Sequence, residues 1–318
     1  MTSQALRSAK RHARRVGPVA MAVIVQGVGN LAFHAVVGRL LDADAYGALG
    51  AVLAAMVMLS VPLGALQTAA SALVVTHGLN WGTARQTLIR VALATMLPAV
   101  VVLACSPWLR DYFRLDSWTE AALLAPYLVV TAVLAAVRGL LLGYRQTRAV
   151  AVSYLIGVLV RLAVGLGLVL PFGVTGALLG TLAGEVAALA IAFSLLSPSA
   201  DASVTGWLRL RAVGRAAIAV TGLFLFSTVD LFLARHHLRD GASGAYVAAA
   251  TVAKTVLAVP AGIMAVVFPS LLAAWPGRGR GRALLVGAAG CGMREVTPVQ
   301  NQDAHGGSPR HGGGGAVP

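Results

Sequence analysis

The chain has 318 residues, of which 58% are hydrophobic and only 11% are charged, with a mean hydropathy of +0.80. A soluble domain carries roughly 25% charged residues, so this composition excludes an ordinary soluble protein and predicts a polytopic membrane protein. The net charge of +14 does not indicate a nucleic-acid partner, because the basic residues lie in short loops between apolar segments. Two distant cysteines, Cys105 and Cys291, indicate neither a disulfide framework nor a metal site.

Apolar segments long enough to cross a hydrocarbon core of about 30 Å recur along the chain. We therefore expect an all-α membrane protein with about eight transmembrane helices. The predicted spans cover residues 17–41, 46–76, 88–109, 120–143, 149–170, 173–197, 214–235 and 243–274. The first apolar run, about 25 residues long, exceeds the apolar region of a cleaved signal peptide.

The distribution of Lys and Arg predicts the orientation, since these residues favour the cytoplasmic side of a membrane in short loops. With the amino terminus inside, the inside segments hold 16 Lys and Arg residues and the outside loops hold five. The five outside residues are Arg39, Arg110, Arg114, Arg235 and Arg239. We therefore predict a multi-pass protein of the plasma membrane with a cytoplasmic amino terminus.

Two parts of the chain share one pattern, in which a helix, a short charged loop and a turn of small residues precede a second helix that contains proline. Gly47 corresponds to Gly244 at an offset of 197 residues, and Pro62 falls within one residue of Pro260. Six predicted spans precede the second copy, so both copies enter the membrane in the same direction. This pattern predicts a parallel internal repeat.

The repeat and the loop composition predict five parts of the chain. They are a basic cytoplasmic tail at 1–16, a six-helix lobe at 17–197, a cytoplasmic linker at 198–213, the first two helices of an incomplete second lobe at 214–276, and a disordered tail at 277–318. The last part is rich in Gly, Pro and Arg and cannot bury a core. The abrupt change after Pro276 is typical of a carboxyl terminus that has lost its natural continuation, and a genuine natural tail is the alternative.

Three stretches carry a family resemblance. They are GRLLDADAYGALGAVLAAM at 38–56, LLGYRQTRAVAVSYLIGVLVRLAVGLGLVLPFGVTGALLG at 141–180, and VDLFLARHHLRDGASGAYVAAATVAKTVLAVP at 229–260. Over residues 17–274 the chain resembles the polysaccharide and lipid-linked oligosaccharide flippases, whose superfamily also holds the multidrug-and-toxin extrusion antiporters. The resemblance implies two six-helix lobes around a central cavity, moving by alternating access. This chain departs from that pattern after the eighth span, as a truncated member would.

The resemblance implies a function in cell-surface polysaccharide biosynthesis. The chain would be a flippase rather than an enzyme, translocating a polyprenyl-diphosphate-linked oligosaccharide without a cofactor. Its partners would be the lipid bilayer, the lipid-linked oligosaccharide and membrane proteins of glycan assembly, with no nucleic acid. Two alternatives stay open: a non-transporting membrane scaffold or inactive remnant, and a cation-coupled antiporter of small molecules.

Ionisable residues within spans are costly, which makes them candidates for function. Arg161 and Glu185 lie 11 and 13 residues from Phe172, where the fifth and sixth spans turn, so their depths differ by only about 3 Å. They can therefore pair across the hairpin as a structural ion pair. Alternatively, Arg161 binds a phosphate in the cavity while Glu185 tunes it or takes a proton.

Three further charged residues complete the predicted site. Lys254 lies too deep in the eighth span to reach an interface, which favours a position in a cationic lumen. Asp230 either binds a coupling cation or pairs with Lys254 or Arg235. Arg39 is either a guide for an anionic headgroup or an ordinary interfacial anchor.

The histidines give a weaker signal. A single histidine within a span, His34, is more typical of a hydrogen bond between packed helices than of a proton relay. His236 and His237 are adjacent but have no further ligands nearby in the sequence, so we predict no metal site.

Overall fold

The computed structural model describes residues 3–77, 79–197, 222, 225, 228–238 and 241–254, with side chains from residue 17 onward apart from that of residue 77. All regular structure in these ranges is helical. The helices are α1 (Ser3–Leu40), α2 (Ala43–Ser60), α3 (Leu63–His77), α4 (Trp81–Ala104), α5 (Ser106–Phe113), α6 (Trp118–Ala122), α7 (Leu124–Gly143) and α8 (Thr147–Ser194). Two helical segments follow, at 228–237 and 242–254.

Five helical stretches of the described chain are long and apolar enough to cross a membrane. They are Gly17–Leu40, Ala43–Thr76, Trp81–Ala104, Trp118–Gly143 and Thr147–Ser194. The protein is therefore an all-α polytopic membrane protein, as its composition predicts. We call the side at which Gly17 lies the entry face and the side at which Leu40 lies the far face.

The long helix α8 folds back on itself at Gly173, where the backbone has φ 54° and ψ −130°. Glycines make the two arms fit closely. The backbones of Gly165 and Gly180 touch, and a Cβ added to Gly184 would lie 2.6 Å from the Gly157 carbonyl oxygen. The arms thus form a helical hairpin and correspond to the fifth and sixth predicted spans, with the turn one residue from its predicted centre.

The second predicted span is interrupted as expected, since α2 ends and α3 begins on either side of Val61 and Pro62. The predicted start of the third span at residue 88 is wrong, because α4 begins at Trp81. Asn80 caps this helix, its Oδ1 accepting a hydrogen bond from the Thr83 amide at 2.9 Å. Apolar periodicity is weak in the first two turns of α4, and the cap sets the boundary instead.

Helix α7 occupies the middle of the bundle. Helices α3 and α4 pack against it, α8 packs against it as well, and α1 packs on α8. Along α7 most residues are buried, including Leu134, Val137 and Leu140. Side chains on α7 that face α8 are therefore removed from lipid.

Several predictions concern parts of the chain outside the described residues. These are the linker at 198–213, the eighth span beyond residue 254 with Pro260, and the tail at 277–318. The helical segments 228–237 and 242–254 lie within or beside the seventh and eighth predicted spans.

Candidate functional site

A small polar cavity lies inside the helix bundle, between α1, α7 and the two arms of α8. Its volume is about 20 Å³, which is room for about one water molecule. The polar residues that line it are Gln26, Asn30, Arg138, Tyr154, Arg161, Thr181 and Glu185. We call this space the Arg161 cavity.

Arg161 is held from α1. Its Nη1 donates a hydrogen bond of 2.7 Å to Asn30 Oδ1, and its guanidinium carbon lies 4.3 Å from the centroid of the Phe33 ring. The Nε of Arg161 is buried and has no hydrogen-bond partner among the described residues. An unmet donor on a buried cation is costly, so this nitrogen is available to an acceptor that enters the cavity.

Arg138 provides a second guanidinium in the same cavity. The sequence predicts Arg138 at a membrane edge, and the residue does lie near the end of a span, five residues before the end of α7, but it is only 8% exposed. Its Nε donates to Ser153 Oγ at 3.0 Å, and its guanidinium carbon lies 3.7 Å from the centroid of the Tyr154 ring. Both contacts come from α8 and draw the side chain away from the interface.

Glu185 comes to the cavity from the second arm of α8. The hairpin brings it to the depth of Arg161, as counting residues from the turn predicts. Among the described side chains, however, Glu185 forms no direct salt bridge with either arginine, so the predicted ion pair is not a direct contact. Two guanidinium groups and one carboxylate leave the ionised cavity with an excess of one positive charge.

Lys254 and Asp230 form an ion pair between the two last helical segments. The Lys254 Nζ lies 2.9 Å from Asp230 Oδ1, and each side chain is about one third exposed. Tyr246 donates a second hydrogen bond to Asp230 Oδ2 at 3.2 Å. Of the partners proposed for Asp230, the structure therefore selects Lys254, whose ammonium is balanced by the Asp230 carboxylate.

Arg39 lies apart from the cavity. It is exposed in the last turn of α1, at the far face, which is the position of an interfacial anchor. The neighbouring His34 makes the predicted hydrogen bond between helices, with Nδ1 lying 3.1 Å from the Tyr46 hydroxyl on α2.

A further buried arginine, Arg235, joins the far ends of several helices. The sequence places Arg235 in a charged loop, but it lies inside the helical segment 228–237 and is only 1% exposed. It forms an ion pair with Asp44 and donates to the carbonyl oxygens of Phe113 and Arg114, each at 2.7 Å, and to Ser243 Oγ at 3.1 Å. We call these groups the Arg235 cluster.

Glu120, at the start of the predicted span 120–143, is another charged residue that the structure buries. It is 4% exposed, its Oε1 accepts a hydrogen bond from Thr175 at 3.2 Å, and its Oε2 has no partner among the described residues. The signal was available in the sequence, because Ser117 and Glu120 have the spacing of a helix-capping box. The Ser117 Oγ indeed accepts from the Thr119 amide.

Comparisons with known proteins give no assignment, since no family model, no curated protein and no solved structure matches the chain. The fold and the buried charges define the class of the protein: it is a polytopic membrane protein with a site of ionisable residues inside its helix bundle. Any finer function has to be argued from the Arg161 cavity.

Proposed function

We propose that the chain is a membrane flippase for an anionic lipid-linked substrate, of the polyprenyl-diphosphate-linked oligosaccharide class. The observation that carries the proposal is the excess positive charge of the Arg161 cavity, with its unpartnered Arg161 Nε. Buried charges inside membrane helices are expensive and mark pathways for substrates or ions. Guanidinium groups suit phosphate oxygens, because they donate several hydrogen bonds from one plane.

The flanking side chains fit the same proposal. Asn30 and Thr181 supply neutral polar groups, and Glu185 supplies a carboxylate that competes with an incoming anion for the two arginines. Such competition lets a bound phosphate leave again, which transport requires. A volume of about 20 Å³ cannot hold a diphosphate, so transport requires α1 and the arms of α8 to separate.

A cation-coupled antiporter finds less support in this arrangement. Binding of a coupling cation is one of two alternatives for Asp230, but Lys254 already occupies one of its oxygens at 2.9 Å. The Arg161 cavity would also repel a cationic substrate. An anionic substrate is therefore the better match to the described charges.

A non-transporting membrane scaffold is the second candidate, and one observation favours it. The Arg161 cavity has room for about one water molecule, and the Arg235 and Lys254 charges each have a carboxylate partner. In a scaffold, the cavity residues would only hold α1, α7 and α8 together.

A flipping assay separates these two candidates. The purified chain is placed in liposomes with a trace of fluorescent polyprenyl-diphosphate disaccharide, and dithionite then quenches the label in the outer leaflet. A flippase exposes the inner-leaflet label as well, whereas a scaffold leaves it protected, as in protein-free liposomes. Protection equal to that of empty liposomes would overturn the proposal.

Variants connect the activity to the cavity. Arg138→Gln with Arg161→Gln should slow flipping about tenfold or more, since a hydrogen bond to a charged group contributes about 1.5–3 kcal/mol. The matched control is Arg39→Gln with Arg110→Gln, which removes two charges at exposed positions. Equal loss in both double variants would mean that net charge, and not the cavity, governs the rate.

A further inference from the structure

A second and much larger cavity lies at the entry face, between the start of α1 and the two ends of α8. Its volume is about 540 Å³, within the range of small-molecule sites. Its walls include Pro18, Arg145, Gln146, Arg148, Val152 and Leu195. We call it the Arg145 cavity; it shares no residue with the Arg161 cavity.

The polar end of the Arg145 cavity is basic. Arg145 and Arg148 both line it, and none of the described residues that line it carries a carboxylate. Within the described part of the chain, no acidic side chain forms a salt bridge with either arginine. Two cations that share a cavity with no carboxylate among the described neighbours suit an anion, which guanidinium groups bind through charge-assisted hydrogen bonds.

Apolar residues also line the cavity. Pro18, Val152 and Leu195 line it, and Val152 and Leu195 are 39% and 38% exposed. These residues lie at the ends of membrane-spanning helices, where headgroups meet acyl chains. A ligand that fills the whole cavity therefore combines an anionic group with an apolar tail, which is the chemistry of a lipid rather than of a soluble anion.

The backbone around the arginines is held in place. Gln146 donates from Nε2 to the Ser197 carbonyl oxygen at 2.9 Å, which ties the start of α8 to its end. On the other side, the Tyr144 hydroxyl donates to the carbonyl oxygen of Leu79. The chain between α7 and α8 is thus braced on both sides of Arg145, and the cavity does not depend on a free loop.

We propose that the Arg145 cavity binds the phosphate of an anionic phospholipid, with Arg145 and Arg148 as its ligands and with the first acyl carbons against Val152 and Leu195. The site is independent of the proposed flippase activity, since it is built from other residues at the membrane face. It gives the bundle a bound lipid between α1 and the α8 hairpin.

Native mass spectrometry of the full-length protein in detergent tests the site. Phosphatidylglycerol is titrated into the wild type and into the double variant Arg145→Gln/Arg148→Gln, and the bound lipid is counted. Each basic residue near a membrane surface contributes about 1 kcal/mol toward anionic lipid, so the affinity should fall roughly 30-fold in the double variant. The control is Arg39→Gln/Arg110→Gln, which removes two exposed charges at the far face and leaves the Arg145 cavity intact.

Two further measurements identify the source of the phosphate. Phosphatidylcholine should bind more weakly than phosphatidylglycerol, and inorganic phosphate should not displace the bound lipid at millimolar concentration. Displacement by inorganic phosphate would replace the lipid with a soluble anion and overturn the proposal. Equal binding of phosphatidylglycerol to the wild type and to Arg145→Gln/Arg148→Gln would overturn it as well, provided that both proteins unfold at the same temperature.

Discussion

Gly47 and Gly244 pack against each other at the far face, although 197 residues separate them in the chain. A Cβ added to Gly47 would lie 3.0 Å from the Gly244 amide nitrogen. One turn along each helix, Gly50 and Val247 also touch, and the same offset relates these two positions. A two-fold axis brings equivalent residues together, so the predicted internal repeat would account for both contacts. The repeat itself stays a prediction.

The Gly47–Gly244 contact predicts that side chains are not tolerated there. In Gly244→Ala the new Cβ would overlap the carbonyl oxygen of Ala43, which is backbone and cannot rotate away. We expect a loss of about 1–3 kcal/mol in the free energy of unfolding. Thermal unfolding in detergent, followed by circular dichroism, measures it. Gly27→Ala is the control, because its Cβ meets open space. If Gly244→Ala and Gly27→Ala unfold at the same temperature, the close contact at Gly244 is contradicted.

The Arg235 cluster predicts unequal effects for the two partners of one ion pair. Arg235 is 1% exposed whereas the Asp44 side chain is 44% exposed, so only the arginine is fully removed from solvent. Arg235→Ala leaves the carbonyl oxygens of Phe113 and Arg114 without their donor and should cost about 3–5 kcal/mol. Asp44→Asn should cost about 1–3 kcal/mol, because water can reach the site.

The same thermal measurement compares these variants with two others. Arg235→Lys should recover little of the stability that Arg235→Ala loses, since a single ammonium cannot reach acceptors on several sides as a guanidinium does. Arg39→Ala is the control, because Arg39 is exposed at the same face and should change stability by less than about 0.5 kcal/mol. Equal effects of Asp44→Asn and Arg235→Ala would show that the burial of the arginine does not matter.

The turn of α8 predicts that a side chain at Gly173 destabilises the protein through backbone strain and not through a steric clash. Gly173 and Gly167 both have open space where a Cβ would lie, but only Gly173 has a positive φ, of 54°. Gly173→Ala should therefore lower the free energy of unfolding by about 1–3 kcal/mol. Gly167→Ala should be neutral or stabilise its helix by up to about 1 kcal/mol. Thermal unfolding of the pair isolates the turn, and a neutral Gly173→Ala would be inconsistent with it.

The Arg161 cavity predicts coupling between residues that do not touch. Glu185→Gln leaves two buried guanidinium groups without a counter-charge and should be destabilising, while Arg138→Gln in the same chain should restore part of the loss. A double-mutant cycle of unfolding free energies should give a coupling of about 0.5–3 kcal/mol. Glu185→Gln combined with Arg39→Gln is the control and should be additive, because Arg39 lies outside the cavity. Additivity in both cycles would contradict a shared electrostatic site.

The sequence was most informative where local rules decide the structure. Long apolar runs identify the spans, and Pro62 marks the break between α2 and α3. Counting residues from the turn near Phe172 places Arg161 and Glu185 at a common depth, which the hairpin confirms. These features depend on helix geometry alone, which the sequence determines without knowledge of neighbouring helices.

Burial of arginines near helix ends was not predictable in this way. Arg138 and Arg235 both lie close to a span boundary, where an arginine normally reaches an interface. Their burial depends on partners from other helices: Ser153 and Tyr154 hold one, and Asp44 with the end of α5 holds the other. One sequence gives no sign of which distant carbonyl or carboxylate will be near.

The hairpin of α8 also limits which parts of the chain can be reached from the far face. Its tip has no polar loop, and the side chains beside the turn are the exposed apolar residues Leu170 and Phe172. We expect such an apolar tip to lie among lipid headgroups and acyl chains instead of projecting into water. A protease, an antibody or a membrane-impermeant label applied from the far face should therefore find no accessible polar loop between α7 and the end of α8.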